Sequence, residues 1–334
     1  MHFDALFPFD AKLSDIPELA RAAEKIGFSA AWMAETTHNP FLPAVLVAEH
    51  TKNLQFGTGI AVSFARSPAV MAHAAWDLAS YSSGRFMLGV GTQIKAHIER
   101  RFGMPWPESP VDKLREQISA LRAFWNHWQS GERLNLRGDY YKISLSSPFF
   151  RPEPIEHPQI PILVAGVNTG LARLAGEMAD GFVVHPFHSP AYLHDVLLPA
   201  IRKGEAAGQS SNKETQIMIN AFAVTNKQER AYARQQLSFY ASTPSYRKVL
   251  ALHGWQDLGE QLSALAARNR WDEMPDLISD EMLETFATVA TEAELPSALN
   301  DRYGAFATRI ALYSPFVPNQ RQAFWKQLAG AFNQ

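Results

Sequence analysis

Apolar residues along this chain fall into short runs separated by stretches in which they recur at helical spacing. The short runs predict strands over 2–7, 29–33, 54–62, 86–90, 160–165, 181–184, 216–224 and 308–313. The helical spacing predicts helices over 14–26, 40–50, 68–80, 111–129, 170–178 and 192–208. Such alternation is typical of a parallel sheet with right-handed crossovers.

The number of predicted strands selects one architecture within this class. Eight parallel strands favour a closed (β/α)8 TIM barrel, because an open sheet of that size tends to divide into sub-domains. We expect one domain over residues 1–334, with a surface excursion containing a hairpin at 131–150. A mainly helical insertion is expected over 226–300, before the last strand.

Composition and charge narrow the kinds of partner. The chain has 31 Lys+Arg against 33 Asp+Glu, a formal net charge of -2, and therefore lacks the basic surface that nucleic acid or an anionic membrane requires. A small, roughly neutral molecule fits better. With no cysteine, disulfides, thiolate catalysis and cysteine-ligated metals are excluded, and no His-x-His follows the first strand, so no metal is expected. The N-terminus has no signal-peptide pattern and no apolar window reaches membrane-spanning length, so we expect a cytoplasmic protein.

In barrels of this kind the active site lies where strands end, and these segments are rich in glycine and polar residues. Gly57 and Gly59 interrupt the third strand, and Gly89 and Gly91 close the fourth. Glycine at such positions lets the backbone approach a planar or phosphorylated ligand closely. The stretch 54–93 therefore indicates the floor of a cofactor site.

Two histidines and one loop complete the candidate chemistry. His38 follows the second strand and His185 follows the strand at 181–184. Either histidine could supply a proton or a hydrogen bond to a substrate, or could be a surface or structurally satisfied residue. The loop AGVNTG precedes a helix, where exposed amides of Gly166, Val167 and Asn168 could bind an anion; the alternative is an ordinary turn.

Four blocks carry a resemblance to a known family. They read AAEKIGFSAAWMAE, GTGIAVSFARSP, LASYSSGRFMLGVGTQ and LVAGVNTGLARLAGEMADGFVVHP, in this order along the chain. Together they resemble the luciferase-like monooxygenase superfamily, and within it the deazaflavin-dependent oxidoreductases related to methylenetetrahydromethanopterin reductase. The resemblance implies a luciferase-like (β/α)8 barrel, a bound flavin or deazaflavin such as coenzyme F420, a small-molecule substrate and a homodimer.

The resemblance also implies roles for individual residues. A non-prolyl cis peptide is implied at Gly59–Ile60, behind the flavin-like ring, with Gly91 and Thr92 beside the ring. Glu35 matches a position, usually Asp, that contacts the deazaflavin hydroxyls or ring edge. The loop at 166–168 matches the site of the cofactor phosphate, although the Gly-Gly-Pro common there is absent.

One departure limits what can be carried over about the reaction. Relatives that oxidise sugar phosphates have a proton-donating Glu just after the fourth strand, and this chain has Ile94 there. Three hypotheses therefore remain. The first is hydride transfer between coenzyme F420 and a small organic substrate, and the second is an FMN-dependent monooxygenase that uses reduced FMN and oxygen. The third is a non-catalytic, cofactor-binding homodimer.

Overall fold

A computed structural model describes residues 1–208 and 214–333. Its strands are β1 His2–Leu6, β2 Ala30–Met33, β3 Gln55–Thr58, β4 Ala61–Val62, β5 Phe86–Gly91, β6 Leu136–Arg137, β7 Lys142–Ile143, β8 Ile162–Gly166, β9 Gly181–Val184, β10 Gln216–Val224, β11 Ala287–Val289 and β12 Arg309–Leu312. Eight of them pair in parallel in the order β1-β2-β3-β5-β8-β9-β10-β12, and β12 returns to β1. The barrel is therefore closed, which confirms the predicted (β/α)8 fold.

Helices surround the barrel. They are α1 Ile16–Ile26, α2 Phe41–His50, α3 Pro68–Tyr81, α4 Lys95–Arg100, α5 Pro110–Ser130, α6 Thr169–Met178, α7 Pro190–Tyr192, α8 Leu198–Ala207, α9 Lys227–Ala241, α10 Arg247–Ala251, α11 Gln256–Ala267, α12 Asp280–Phe286, α13 Leu295–Tyr303 and α14 Gln322–Phe332. A π-helical turn, Leu193–Leu197, joins α7 to α8. Local sequence explains where α3 begins. Ser67 Oγ accepts a hydrogen bond from the Val70 amide and Pro68 is the first helical residue, a favourable N-cap arrangement.

The interior of the barrel follows the two-residue period of its strands. Alternate residues point inward and pack into one apolar cluster: Leu6, Ala30, Trp32, Met87, Leu163, Val183, Met218 and Ala311. Below it, buried Asp4 accepts hydrogen bonds from Arg309 (Nε at 2.7 Å) and from Trp32 Nε1 at 2.9 Å. The barrel is thus filled, and a ligand has room only at its ends.

Two details differ from the predicted elements. The single strand predicted over 54–62 is wrong: β3 ends at Thr58, a cis peptide joins Gly59 to Ile60, and β4 resumes at Ala61. The segment predicted as mainly helical before the last strand contains β11, which adds in parallel to the edge of β10. Among the described residues, no helix is both long and apolar enough to cross a bilayer.

Candidate active site

One side of the barrel mouth, at the C-terminal ends of β3 and β5, is rich in closely packed glycine. A Cβ on Gly89 would lie 2.0 Å from the carbonyl oxygen of Thr58, and one on Gly91 would lie 2.9 Å from Ile60 Cδ1. Any side chain on these glycines would therefore collide with its neighbour. Gly59 and Ile60 remain half-exposed at this edge, as does Thr92 directly after β5. We call Gly59, Ile60, Gly91 and Thr92 the glycine wall.

Glu35 fixes the strand segment beside the glycine wall. Its two carboxylate oxygens each accept a hydrogen bond of 2.6 Å from the Arg66 guanidinium, and one of them also accepts from the Val62 amide at 2.6 Å. Only 6% of the Glu35 side chain and 13% of the Arg66 side chain are exposed. The carboxylate therefore ties β2 to β4 and to the turn after it.

The loop at 166–168 has the properties of a ligand-binding helix start. Asn168 is the N-cap residue of α6, yet its side chain does not cap the helix, and its Oδ1 is buried with no hydrogen-bond partner among the described residues. The Val167 carbonyl accepts a hydrogen bond from the Tyr192 hydroxyl at 3.0 Å, which anchors the loop. Free amides at a helix start bind anions, and the Asn168 Oδ1 can accept a further hydrogen bond.

His185 lies on the opposite side of the mouth, after β9. Its Nδ1 accepts from the Phe187 amide at 3.1 Å, and its Nε2 lies 3.2 Å from the Tyr246 hydroxyl. Because Nδ1 accepts, the neutral ring carries its proton on Nε2 and donates it to Tyr246. Burial, helped by the charge of His188, lowers the pKa of His185 to about 3. His185 is therefore an uncharged donor at neutral pH.

Three tyrosines surround His185. The hydroxyls of Tyr240, on α9, and Tyr313, directly after β12, form a short hydrogen bond. Burial is the largest cause that raises the pKa of Tyr240 and Tyr313, and it raises that of Tyr246 to about 12. All three remain protonated phenols across the physiological range. We call His185, Tyr240, Tyr246 and Tyr313 the hydroxyl recess.

His38, the other histidine predicted from the sequence, is exposed on the loop after β2. No hydrogen bond or ring contact between described residues joins it to His185. Tyr240 and Tyr246 were not among the predicted site residues, because they belong to a helical segment whose position over the mouth depends on the whole fold. Tyr246 lies in the segment STPSYRKVL, whose local pattern indicates only a turn and a helix, and Tyr240 lies in the helix before it.

Comparison with known proteins shows the family to which this chain belongs. A family model described as luciferase-like monooxygenase matches residues 1–309. The chain belongs to the luciferase-like monooxygenase family. A Mycobacterium tuberculosis relative described as an uncharacterized protein is 41% identical over 305 residues, covering 90% of this chain and 89% of its own.

Two further relatives are named for an enzymatic activity. An F420-dependent glucose-6-phosphate dehydrogenase of Nakamurella multipartita is 29% identical, with 84% of each chain covered. A 5,10-methylenetetrahydromethanopterin reductase of Archaeoglobus fulgidus is 25% identical, with 99% of this chain and 98% of its own covered. With such relatives, this member of the luciferase-like monooxygenase family is an enzyme of the oxidoreductase type.

Solved structures agree with the fold. The coenzyme F420-dependent tetrahydromethanopterin reductase of Methanopyrus kandleri superposes with a TM-score of 0.79 at 19% identity, covering 99% of this chain and 98% of its own. The oxygenating constituent of 3,6-diketocamphane monooxygenase from Pseudomonas putida, in complex with FMN, reaches 0.67 at 16% identity, covering 99% and 96%. The F420-dependent reductase and the FMN-containing monooxygenase therefore share this architecture.

Proposed function

We propose that this chain is a deazaflavin-dependent oxidoreductase that transfers a hydride between coenzyme F420 and a small organic substrate. The relatives at 25% and 29% identity support a reductase or dehydrogenase, and the name of one of them includes F420. FMN occurs with structural neighbours at 14% and 16% identity, whose likeness extends to the fold alone. The observation that carries the proposal is the glycine wall at the C-terminal ends of β3 and β5, across the barrel mouth from a set of uncharged donors.

The residues present fit a flavin-like group. A planar ring can lie against the half-exposed residues Gly59, Ile60 and Thr92, with buried Gly91 behind Ile60, because Gly59 adds no side chain at this edge. A phosphate can lie against the amides at 166–168, and a ligand hydroxyl can satisfy the unpartnered Oδ1 of Asn168. Glu35 serves this site by holding β4 through Arg66, with both of its oxygens already engaged.

The bound deazaflavin would supply the hydride chemistry, and this chain supplies binding and orientation. His185 keeps its Nε2 proton directed at Tyr246, and the phenols hold their protons, so this side of the mouth can donate hydrogen bonds without carrying charge. His38, exposed on the loop after β2, is a second candidate proton donor. Ile94 at the rim supplies no acid, which argues against the sugar-phosphate chemistry of the dehydrogenase relative.

A binding titration tests the proposal. The full chain is titrated separately with coenzyme F420 and with FMN, and binding is followed by fluorescence quenching. We expect F420 to bind in the micromolar range or tighter, and Gly91→Val to weaken it, because the new side chain meets Ile60 and fills the wall. Gly330→Ala, where a Cβ meets nothing within 4 Å, is the matched control.

The two alternatives are outcomes of the same titration. Tight binding of FMN alone would replace the proposal with an FMN-dependent monooxygenase. Binding of neither cofactor would favour a non-catalytic protein.

We also propose that the chain forms a homodimer through α2 and α3. Residues 41–48 of helix α2 are all apolar, yet Leu42 is 54% exposed and Val45 46% exposed, with Val70 exposed on neighbouring α3. Glu49 borders this face at the end of the helix. An exposed apolar patch of this kind is typical of an interaction site. A second copy packed on this face would cover it.

A further inference from the structure

The hydroxyl recess forms a compact group of side chains across the barrel mouth from the glycine wall. The His185 ring lies 4.7 Å from both the Tyr240 and Tyr246 rings, and Tyr240 lies 6.0 Å from Tyr246 and 6.2 Å from Tyr313. All four side chains are half-buried, and Tyr313 packs on the apolar cluster inside the barrel. The recess therefore packs on the apolar interior of the barrel, and its side chains remain partly exposed to solvent at the mouth.

Some phenol protons of the recess have no acceptor among the described residues. His185 Nε2 donates to Tyr246, and the proton of Tyr246 itself has no acceptor among the described residues. The Tyr240 and Tyr313 hydroxyls share one hydrogen bond, in which only one phenol can donate, so the other keeps a spare proton. Two phenol protons in the recess are thus left without an acceptor in the part of the chain that the structure describes.

The recess is also uncharged. The pKa values of its tyrosines are raised by burial and by neighbouring tyrosines, and that of His185 is lowered by burial and His188. No ion pair between described residues involves any of its four members. A carboxylate or phosphate placed here would lose its water without gaining a cation, which is strongly unfavourable.

We propose that the hydroxyl recess binds the carbonyl or hydroxyl oxygen of an uncharged substrate, with the spare phenol protons of Tyr246 and of the Tyr240–Tyr313 pair as donors. This inference rests on the proposed function, because it places the substrate at the mouth that would hold the deazaflavin. His185 is a positioning residue, since it fixes the direction of the Tyr246 hydroxyl. The half-exposed rings of the recess itself, with Tyr240 and Tyr246 both in contact with His185, favour an apolar or aromatic carbonyl compound.

The test uses acetophenone carrying carbon-13 at its carbonyl, added to the full chain and observed by NMR. A hydrogen bond to the oxygen moves the carbonyl resonance downfield, which simple packing does not. We expect this shift with the unmodified protein, and its reduction in Tyr246→Phe and Tyr240→Phe with an affinity about two- to tenfold lower, the usual effect of one neutral hydrogen bond. Tyr81→Phe is the matched control, because Tyr81 is 56% exposed at the other end of the barrel.

The charged analogue 4-acetylbenzoate completes the design and should bind more weakly than acetophenone. Equal affinity for the two probes, absence of acetophenone binding, or an unchanged shift in both phenylalanine variants would overturn the inference. Each variant is also titrated with coenzyme F420. If the unmodified protein binds F420 but acetophenone gives one of these contrary results, only the substrate-binding inference is contradicted. If the unmodified protein does not bind F420, the proposed function is contradicted.

Discussion

At the scale of a single side chain, Glu35 has two candidate roles: contact with a cofactor and a structural ion pair. Its position in the sequence implies contact with a cofactor, whereas its carboxylate already accepts three hydrogen bonds from Arg66 and the Val62 amide. An ion pair this deeply buried costs desolvation, and the loss of one partner leaves the other charge unpaired. We therefore expect Glu35 to affect a bound ligand indirectly, by fixing the position of β4.

Replacement of Glu35 by Ala should lower the free energy of unfolding by about 3–5 kcal/mol, because Arg66 would stay buried without its partner. Arg66→Met should lower it by a similar amount, and both variants should weaken cofactor binding equally. Urea unfolding and a cofactor titration measure the two effects. Glu99→Ala, which removes the exposed pair with Lys95, is the control and should change stability by less than about 1 kcal/mol. A loss of cofactor affinity confined to Glu35→Ala would mean direct contact instead.

The buried histidines predict how stability depends on pH. Burial lowers the pKa of His188 to about 4 and that of His185 to about 3, from an ordinary value of 6.5. At pH values below 6.5 and above these folded-state pKa values, the unfolded chain binds more protons than the folded one. The free energy of unfolding should therefore fall as the pH drops below 6.5, by up to about 1.4 kcal/mol per pH unit for each histidine, and neither contributes above 6.5.

Urea unfolding at pH 7 and pH 5 checks this dependence. The His188→Gln variant should lose less stability between the two values than the unmodified protein, because one of the two groups no longer titrates. His194→Gln, which removes an exposed histidine, should behave like the unmodified protein. An equal pH response of all three proteins would show that His188 is already protonated or exposed.

At the scale of elements, the glycine wall exists because β3 and β5 pack more closely than side chains permit. Thr58 Oγ1 donates to the Gly89 carbonyl at 2.6 Å, and the Thr58 carbonyl lies where a Cβ on Gly89 would stand. The contact is with backbone, which cannot rotate away. The close packing of these two strands is therefore part of the fold as well as of the site.

Gly89→Ala should destabilise the protein by about 3 kcal/mol or more, at the upper end of the cost of overpacking a core. Gly330→Ala is the opposite case, because Gly330 lies inside α14 and a Cβ there would meet no atom of the described residues within 4 Å, and it should stabilise by about 0.5–1 kcal/mol. Thermal and urea unfolding measure both. Similar stabilities for the two variants would mean that β3 and β5 can separate at little cost.

Much of the barrel could be predicted because its strands are short apolar runs, and each run lies within a residue or two of an observed strand. The break at 59–60 could not be read from periodicity, since Ile60 and Ala61 continue the apolar run. The loop at 166–168 was found because a helix start is a local feature. Tyr240 and Tyr246 were missed because their approach to His185 joins residues about sixty positions apart, which local patterns do not reveal.

At the scale of the whole molecule, the exposed apolar face of α2 and α3 predicts a dimer. The double variant Leu42→Glu with Val45→Glu should yield monomers, because two charges would be buried in the contact. Size-exclusion chromatography with light scattering measures the mass. Leu252→Glu, at a residue 43% exposed elsewhere, is the control and should leave the dimer intact. A monomeric unmodified protein, or a dimeric double variant, would contradict the assignment of this face.

The central claim is that the mouth of the barrel holds a deazaflavin for hydride transfer and uses no oxygen. The most direct test mixes the full chain with reduced coenzyme F420 and a panel of uncharged aldehydes and ketones without oxygen, and follows the absorbance of the oxidised cofactor. The account predicts that at least one carbonyl compound is reduced and the cofactor oxidised, at a rate that oxygen does not increase. Inertness of reduced F420 across the panel, together with oxygen-dependent consumption of reduced FMN, would contradict it.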